Sequence, residues 1–158
     1  MYMKKLLSII LCLTVIIGVS TGLCDTYEVF VFCNPKTPVN VRRSPKKGAK
    51  ETGRLDFGDS VMTDGKTRNG FLHVLDITED GEGWIFAGYV VNDEPEVLDN
   101  AWAYIGATGR VISYRWIDGM KNGWVRVCEQ VRVYAISDEW AYTSKGYIRT
   151  KYLEVWYE

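Results

Sequence analysis

The 158-residue chain holds one histidine, four prolines, four cysteines and almost no net charge, with 19 Lys and Arg against 20 Asp and Glu. Each scarcity removes a class of function. His73 is alone, and neither a Gly-x-Ser-x-Gly elbow nor a cysteine-centred nucleophile motif accompanies it, so no catalytic residues are assigned and no enzyme is expected. A lone histidine without any Cys-x-x-Cys completes none of the usual zinc sets, and no metal or cofactor is expected. The charge balance gives no field that would draw in nucleic acid or an anionic membrane. No apolar run after the first 22 residues is long enough for stable membrane insertion, and no long stretch repeats with the 3.6-residue period of a helix.

What is present begins with an N-terminal leader. Lys4 and Lys5 precede a mostly apolar stretch from Leu6 to Val19, followed by the small residues Ser20, Thr21 and Gly22. This pattern reads residues 1–22 as a signal peptide, cut before Leu23 or, in the competing choice, after Ser20. The expected product is secreted or extracellular, with association to the cell wall as a further option, and carries 17 basic residues against 20 acidic ones. Cys24 would suit a lipid anchor, but Leu23 stands where such signals need a small residue. Cys24, Cys33 and Cys128 allow three disulfide pairings, and spacing does not choose among them. Cys33 and Cys128 read as small buried residues on strands.

Beyond the leader, short β-branched and aromatic runs alternate with Gly, Asp, Asn and Pro, the signature of an all-β chain. Strands are expected at Tyr27 to Cys33, Val39 to Arg42, Ser60 to Thr63, Phe71 to Leu75 and Gly83 to Ile85. A second set is expected at Val111 to Tyr114, Trp124 to Val127, Val131 to Ala135, Trp140 to Thr143 and Tyr147 to Ile148. The two sets share a plan. Gly53-Arg54-Leu55, Asp59 and Val61 are matched 70 residues later by Gly123-Trp124-Val125, Glu129 and Val131. Gly83-Trp84-Ile85, Tyr89 and Val90 are matched 63 residues later by Gly146-Tyr147-Ile148, Tyr152 and Leu153, and Phe71 falls opposite Trp140. The acidic segment around Asp93-Glu94-Pro95-Glu96 has the composition of a linker. The expected organisation is therefore a leader (1–22), a first unit (27–91), a linker (92–99) and a second unit (100–158).

The first unit resembles a bacterial SH3 domain in the order of Val39-Asn40-Val41-Arg42, a Ser/Pro loop, Gly53-Arg54-Leu55, Gly58-Asp59-Ser60-Val61, Gly70-Phe71 and a closing Gly83-Trp84-Ile85 with Tyr89-Val90. The second unit keeps the closing half but has Val111-Ile112-Ser113-Tyr114-Arg115-Trp116 in place of the opening signature and no Ser/Pro loop, as a degenerate copy would. The resemblance implies two small SH3-like β-barrels in tandem, of a kind found mainly in exported bacterial proteins that engage peptidoglycan or its cross-linking peptides. Docking of other exported proteins is the alternative.

Flat aromatic rings with polar tips suit sugar or peptide surfaces, and they also fill small cores. The candidate ligand-binding residues are Phe71, Trp84, Tyr89, Arg42, Trp116, Trp140 and Tyr152. Trp84 and Tyr147 are at the same time the aromatics most suited to a core, and His73 to a structural place in its strand. Arg42, Arg43, Lys46, Lys47 and Lys50 form a basic loop around Pro45 that could meet a carboxylate. Asp76, Glu79, Asp80 and Glu82 read as a solvated hairpin tip. Tyr114, Arg115, Trp116, Lys121 and Trp124 form an alternative groove near the Asp118-Gly119 turn.

Overall fold

The computed structural model describes residues 25–77 and 81–157. The leader, Cys24, Glu79 and Asp80 lie outside them. The described residues form fourteen strands and two single 3-10 turns, with no α-helix. The strands build two seven-stranded antiparallel sheets. The first contains β1 (Tyr27–Val31), β2 (Val39–Arg42), β3 (Glu51–Leu55), β4 (Ser60–Arg68), β5 (Phe71–Leu75), β6 (Glu82–Phe86) and β7 (Val90–Val91). The second contains β8 (Glu96–Ile105), β9 (Val111–Tyr114), β10 (Lys121–Val125), β11 (Gln130–Ile136), β12 (Trp140–Thr143), β13 (Gly146–Arg149) and β14 (Leu153–Tyr157).

The spatial orders are β3-β2-β6-β5-β4-β1-β7 and β10-β9-β13-β12-β11-β8-β14, so the second sheet repeats the first strand for strand. Each is a small SH3-like barrel, and the fold is all-β. The repeat extends to register. Val39 faces Leu55 as Val111 faces Val125, and Phe71 faces Phe86 as Trp140 faces Arg149. The turn after β3 is also repeated: the Asp59 carboxylate accepts the Asp56 N–H at 2.7 Å, and the Glu129 carboxylate accepts that of Arg126 at 3.1 Å.

Period-two alternation accounts for the two cores. Val39 and Val41 of β2 point inward while Asn40 and Arg42 point out, and Val131, Val133 and Ala135 of β11 are buried in the same rhythm. Val29, Val31, Val74 and Ile85 complete the first core, and Ile105, Val125, Ala141 and Ile148 the second. Burial of each Val, Ile or Leu is worth about 1.5–3 kcal/mol. Between β4 and β5, Asn69 and Gly70 both have positive φ, the requirement of a two-residue turn that follows the right-handed twist of its strands.

Four strands are added to the expected set. β3, β7 and β14 complete their sheets, and β8 begins at Glu96, inside the segment read as a linker. Asp99 and Asn100 form an irregularity in β8, with Asn100 at φ 54°, that lets the strand pair with β11 on both sides of the break. The connection between the sheets is therefore only residues 92–95.

Candidate functional site

The two barrels meet through a buried aromatic junction. Phe32 and Val91 of the first unit and Ala135, Trp140 and Tyr147 of the second are buried together, with Phe57, Tyr89, Tyr114, Ile117 and Tyr142 packed around them. The Phe32 ring meets Tyr147 edge-on at 5.7 Å, and the Tyr147 hydroxyl donates to the Phe32 carbonyl at 3.2 Å. Burial pushes the Tyr147 hydroxyl far above the usual phenol range, so it stays protonated and able to donate. A unit of this size buries too little surface to be robust alone, and the junction adds a third apolar cluster to the two cores.

Beside this cluster, the hairpin tip after β9 reaches across to the first unit. Trp116 stands edge-on to Phe86 at 5.4 Å, and the Ile117 N–H donates to the Gly88 carbonyl at 3.0 Å. Gly88 is required here by space: a Cβ at this position would stand 2.4 Å from Trp116 Cδ1. At the other edge of the junction, the Asp138 N–H donates to the Asp93 carboxylate.

These contacts locate most of the candidate residues. Trp140 is 2% exposed, edge-on to Tyr114 and covered by the Arg149 guanidinium at 4.0 Å, so it serves the junction and presents no open ring face. Phe71 is buried edge-on to Phe86, which also touches Tyr89. Trp116 is clamped between Gly88 and its own Gly119. Arg42 donates to the Ala49 carbonyl at 2.9 Å and pairs with Glu51 at 3.5 Å, which ties it to its own hairpin. Trp84 is half-buried against His73 at 4.8 Å, on the outer face of the first sheet. His73 lies 3.1 Å from Asp64 and 3.4 Å from Glu82, a structural setting within that face. The candidates therefore form no single site. Phe71, Tyr89, Trp116 and Trp140 belong to the aromatic packing at or beside the junction, Trp84 and Arg42 lie on the first sheet, and Tyr152 is in the second unit. Tyr147, suited by sequence to a core, fills the space between the barrels.

Two open depressions among the described residues carry aromatic and cationic side chains. One, of about 500 Å³, runs along the junction. The first unit contributes Asn34, Pro35 and Lys36, and the second contributes Val97–Asp99, Arg132, Tyr134 and Tyr142. Its walls combine two neighbouring phenol rings, Tyr134 and Tyr142 at 5.7 Å, with the Arg132 guanidinium 5.7 Å above Tyr134 and an exposed Lys36. Flat ring faces beside cationic donors suit a sugar ring or peptide that carries a carboxylate. No candidate residue from the sequence lines this groove: its second-unit wall is built across β8, β11 and β12, and Asn34–Lys36 join that wall only when the barrels dock.

The second depression, of about 410 Å³, lies wholly in the second unit. It contains Arg110, Trp124, Arg149, Lys151 and Tyr152, with Asp118 as an acid in its wall. Trp124 is 58% exposed, with the Lys121 ammonium 5.5 Å from its ring centre. Tyr152, and the Trp124 and Lys121 of the alternative groove, are thus found together. Arg149 is held by Asp118 at 2.7 Å and by Glu139, whereas Arg110 and Lys151 have no carboxylate partner among the described residues.

Residues 37–91 match the bacterial SH3 domain family. The SH3-matched stretch runs from just before β2 to the end of β7, the part of the first unit that carries the opening and closing motifs. Among solved structures, the chain is similar to NlpC1 from Trichomonas vaginalis, with 19% identity and a TM-score of 0.37 over 82% of this chain and 46% of that one. It is also similar to NlpC2 from Trichomonas vaginalis, with 15% identity and a TM-score of 0.37 over 82% of this chain and 48% of that one. The chain thus spans about half the length of these proteins. No curated protein matches it.

Proposed function

We propose that this chain is an exported, non-catalytic binding module that holds cell-wall peptidoglycan or its peptides in the groove at the junction of its two barrels. The observation that carries this reading is the composition of that groove: paired Tyr134 and Tyr142 rings with Arg132 and Lys36 at their margin. Binding sites favour the seams between domains, where two rigid walls converge. The bacterial SH3 match supports a wall ligand, since domains of that family resemble those of exported proteins that engage the wall. The charged, apolar and small-residue pattern of residues 1–22 supports export. The second barrel acts in this reading as a further SH3-like copy that supplies the larger part of the groove.

The test is co-sedimentation with purified insoluble peptidoglycan. The parent protein is expected in the pellet, and Tyr134→Ala, checked for folding, is expected mostly in the supernatant. Trp124→Ala, in the other depression, should pellet like the parent. A parent protein that stays wholly in the supernatant overturns the proposal.

A further inference from the structure

The depression of the second unit occupies the place at which the first unit receives a partner. The repeat in register sets Phe86 against Arg149, Gly88 against Lys151 and Tyr89 against Tyr152. The main-chain bonds agree: Phe32 N–H donates to Tyr89 O at 2.8 Å, and Gly106 N–H donates to Tyr152 O at 3.0 Å. In the first unit this surface is covered by the hairpin tip Trp116-Ile117 of the second barrel, whose outer sheet face lies on the neighbouring Phe32 and Tyr89. In the second unit no described residue of the first unit lies on it, and Trp156 of β14 stacks on Tyr104 at its margin.

That open surface keeps part of the apolar character of its covered counterpart. Phe30 and Phe57, partly buried against the junction, correspond to Tyr104 and Val127, which are 44% and 40% exposed. Its rim has changed in charge. Phe86 and Gly88 are replaced by Arg149 and Lys151, and Arg110 stands beside them, so the lining carries three cations against one acid, Asp118. Glu139, which shares Arg149 with Asp118, and Glu154, in place of Val91, lie outside that lining, and Arg110 and Lys151 have no carboxylate partner among the described residues.

We propose that this surface docks an acidic β-hairpin tip of another folded protein, in the geometry by which the second barrel docks on the first. A second copy of this chain is a poor occupant. The hairpin that corresponds to Arg115–Met120 is residues 43–50 of the first unit, which carries Arg43, Lys46, Lys47 and Lys50 and no acid, so like charges would face each other. Like-charge contact across an interface costs several kcal/mol and excludes the wrong partner. The same cationic rim that rejects this loop favours one with Asp or Glu.

The experiment titrates the isotope-labelled protein with two cyclised hairpin peptides and follows amide chemical shifts. One peptide is residues 113–122 of this chain with Arg115→Glu and Lys121→Glu, and the other is residues 42–51 unchanged. The acidic hairpin is expected to shift Arg110, Trp124, Lys151 and Tyr152, and to bind about tenfold or more tightly than the basic one, the size of effect that complementary rim charges produce. Arg110→Glu and Lys151→Glu, each with an otherwise unchanged spectrum, should weaken the acidic hairpin by a similar factor. Equal affinity for both hairpins, shifts confined to the junction groove, or no shifts at millimolar peptide overturns the proposal. None of these outcomes bears on peptidoglycan binding at Tyr134, which the sedimentation assay reads separately.

Discussion

The hydroxyl of Tyr147 donates to the carbonyl of Phe32, 115 residues earlier in the chain, at a buried point between two barrels. Tyr147→Phe keeps the ring that packs on Phe32 and removes only this bond. The Phe32 oxygen is then left buried without that donor, and a loss of about 1–3 kcal/mol is expected. Chemical unfolding of the parent and variant measures it; equal midpoints would show that the bond contributes nothing.

Gly88→Ala is expected to destabilise the docking of the hairpin tip, because its Cβ would meet Trp116 at 2.4 Å and Phe86 at 2.7 Å. Overpacking of this kind costs about 1–3 kcal/mol. The cost should shrink when Trp116→Ala is added, since the clash with Trp116 is removed and only that with Phe86 stays, and a double-mutant cycle reads that coupling. Strict additivity would place the strain elsewhere.

Much of the fold was legible in short patterns. The paired triplets at Gly53 and Gly123, and at Gly83 and Gly146, fall at the matching register positions of the two sheets. β8 was hidden because its first half carries Glu96, Asp99 and Asn100, and because its inward residues Ala101 and Ala103 are too small to mark a face. The junction was hidden for a different reason. Alternation along β12 and β13 says that Trp140 and Tyr147 lie on one side of a strand, but not that a second barrel covers that side. Tyr152 and Trp124 could be found as aromatics near cations, whereas Tyr134 and Tyr142 meet across β11 and β12, and Lys36 joins them only through docking of the two units.

The two described cysteines are free and should differ sharply in reactivity. Burial, followed by the nearby charges of Asp56 and Asp59, pushes the Cys33 thiol up to about 11, and its Sγ lies 3.3 Å from the Thr37 carbonyl. Cys128 is exposed. A thiol reagent at neutral pH is expected to label Cys128 quickly and Cys33 only after unfolding, as read by mass spectrometry of digested protein. Prompt labelling of Cys33 in the folded protein would contradict this placement.

Cys128 also has φ 59°, in the turn where the first unit has Gly58 at φ 83°. A side chain in this left-handed region costs free energy that glycine avoids. Cys128→Gly should therefore raise stability, by about 0.5–1 kcal/mol after allowance for the greater freedom of glycine in the unfolded chain. A fall in the unfolding midpoint would show that the Cys128 side chain makes contacts that outweigh the strain.

Acid should weaken the first barrel through Asp64. Its carboxyl is held down to about 2, from 3.8, chiefly by the Lys66 ammonium, with the Lys66 main-chain N–H and His73 adding to the effect. A depressed folded value means that the stabilisation is present above the ordinary carboxylate range and is lost as pH falls from about 4 to about 2. Melting curves across this range should fall less steeply for Asp64→Asn than for the parent. Parallel curves would remove Asp64 as a source of the pH dependence.

The packing of the two barrels has no two-fold axis: the sheet face of one is used against the turn region of the other. The sheet face around Trp84 and the turn region around Lys151 have no barrel against them among the described residues. The two barrels are consequently not interchangeable: exchanging their places would set the basic 43–50 loop where Trp116 and Ile117 now sit.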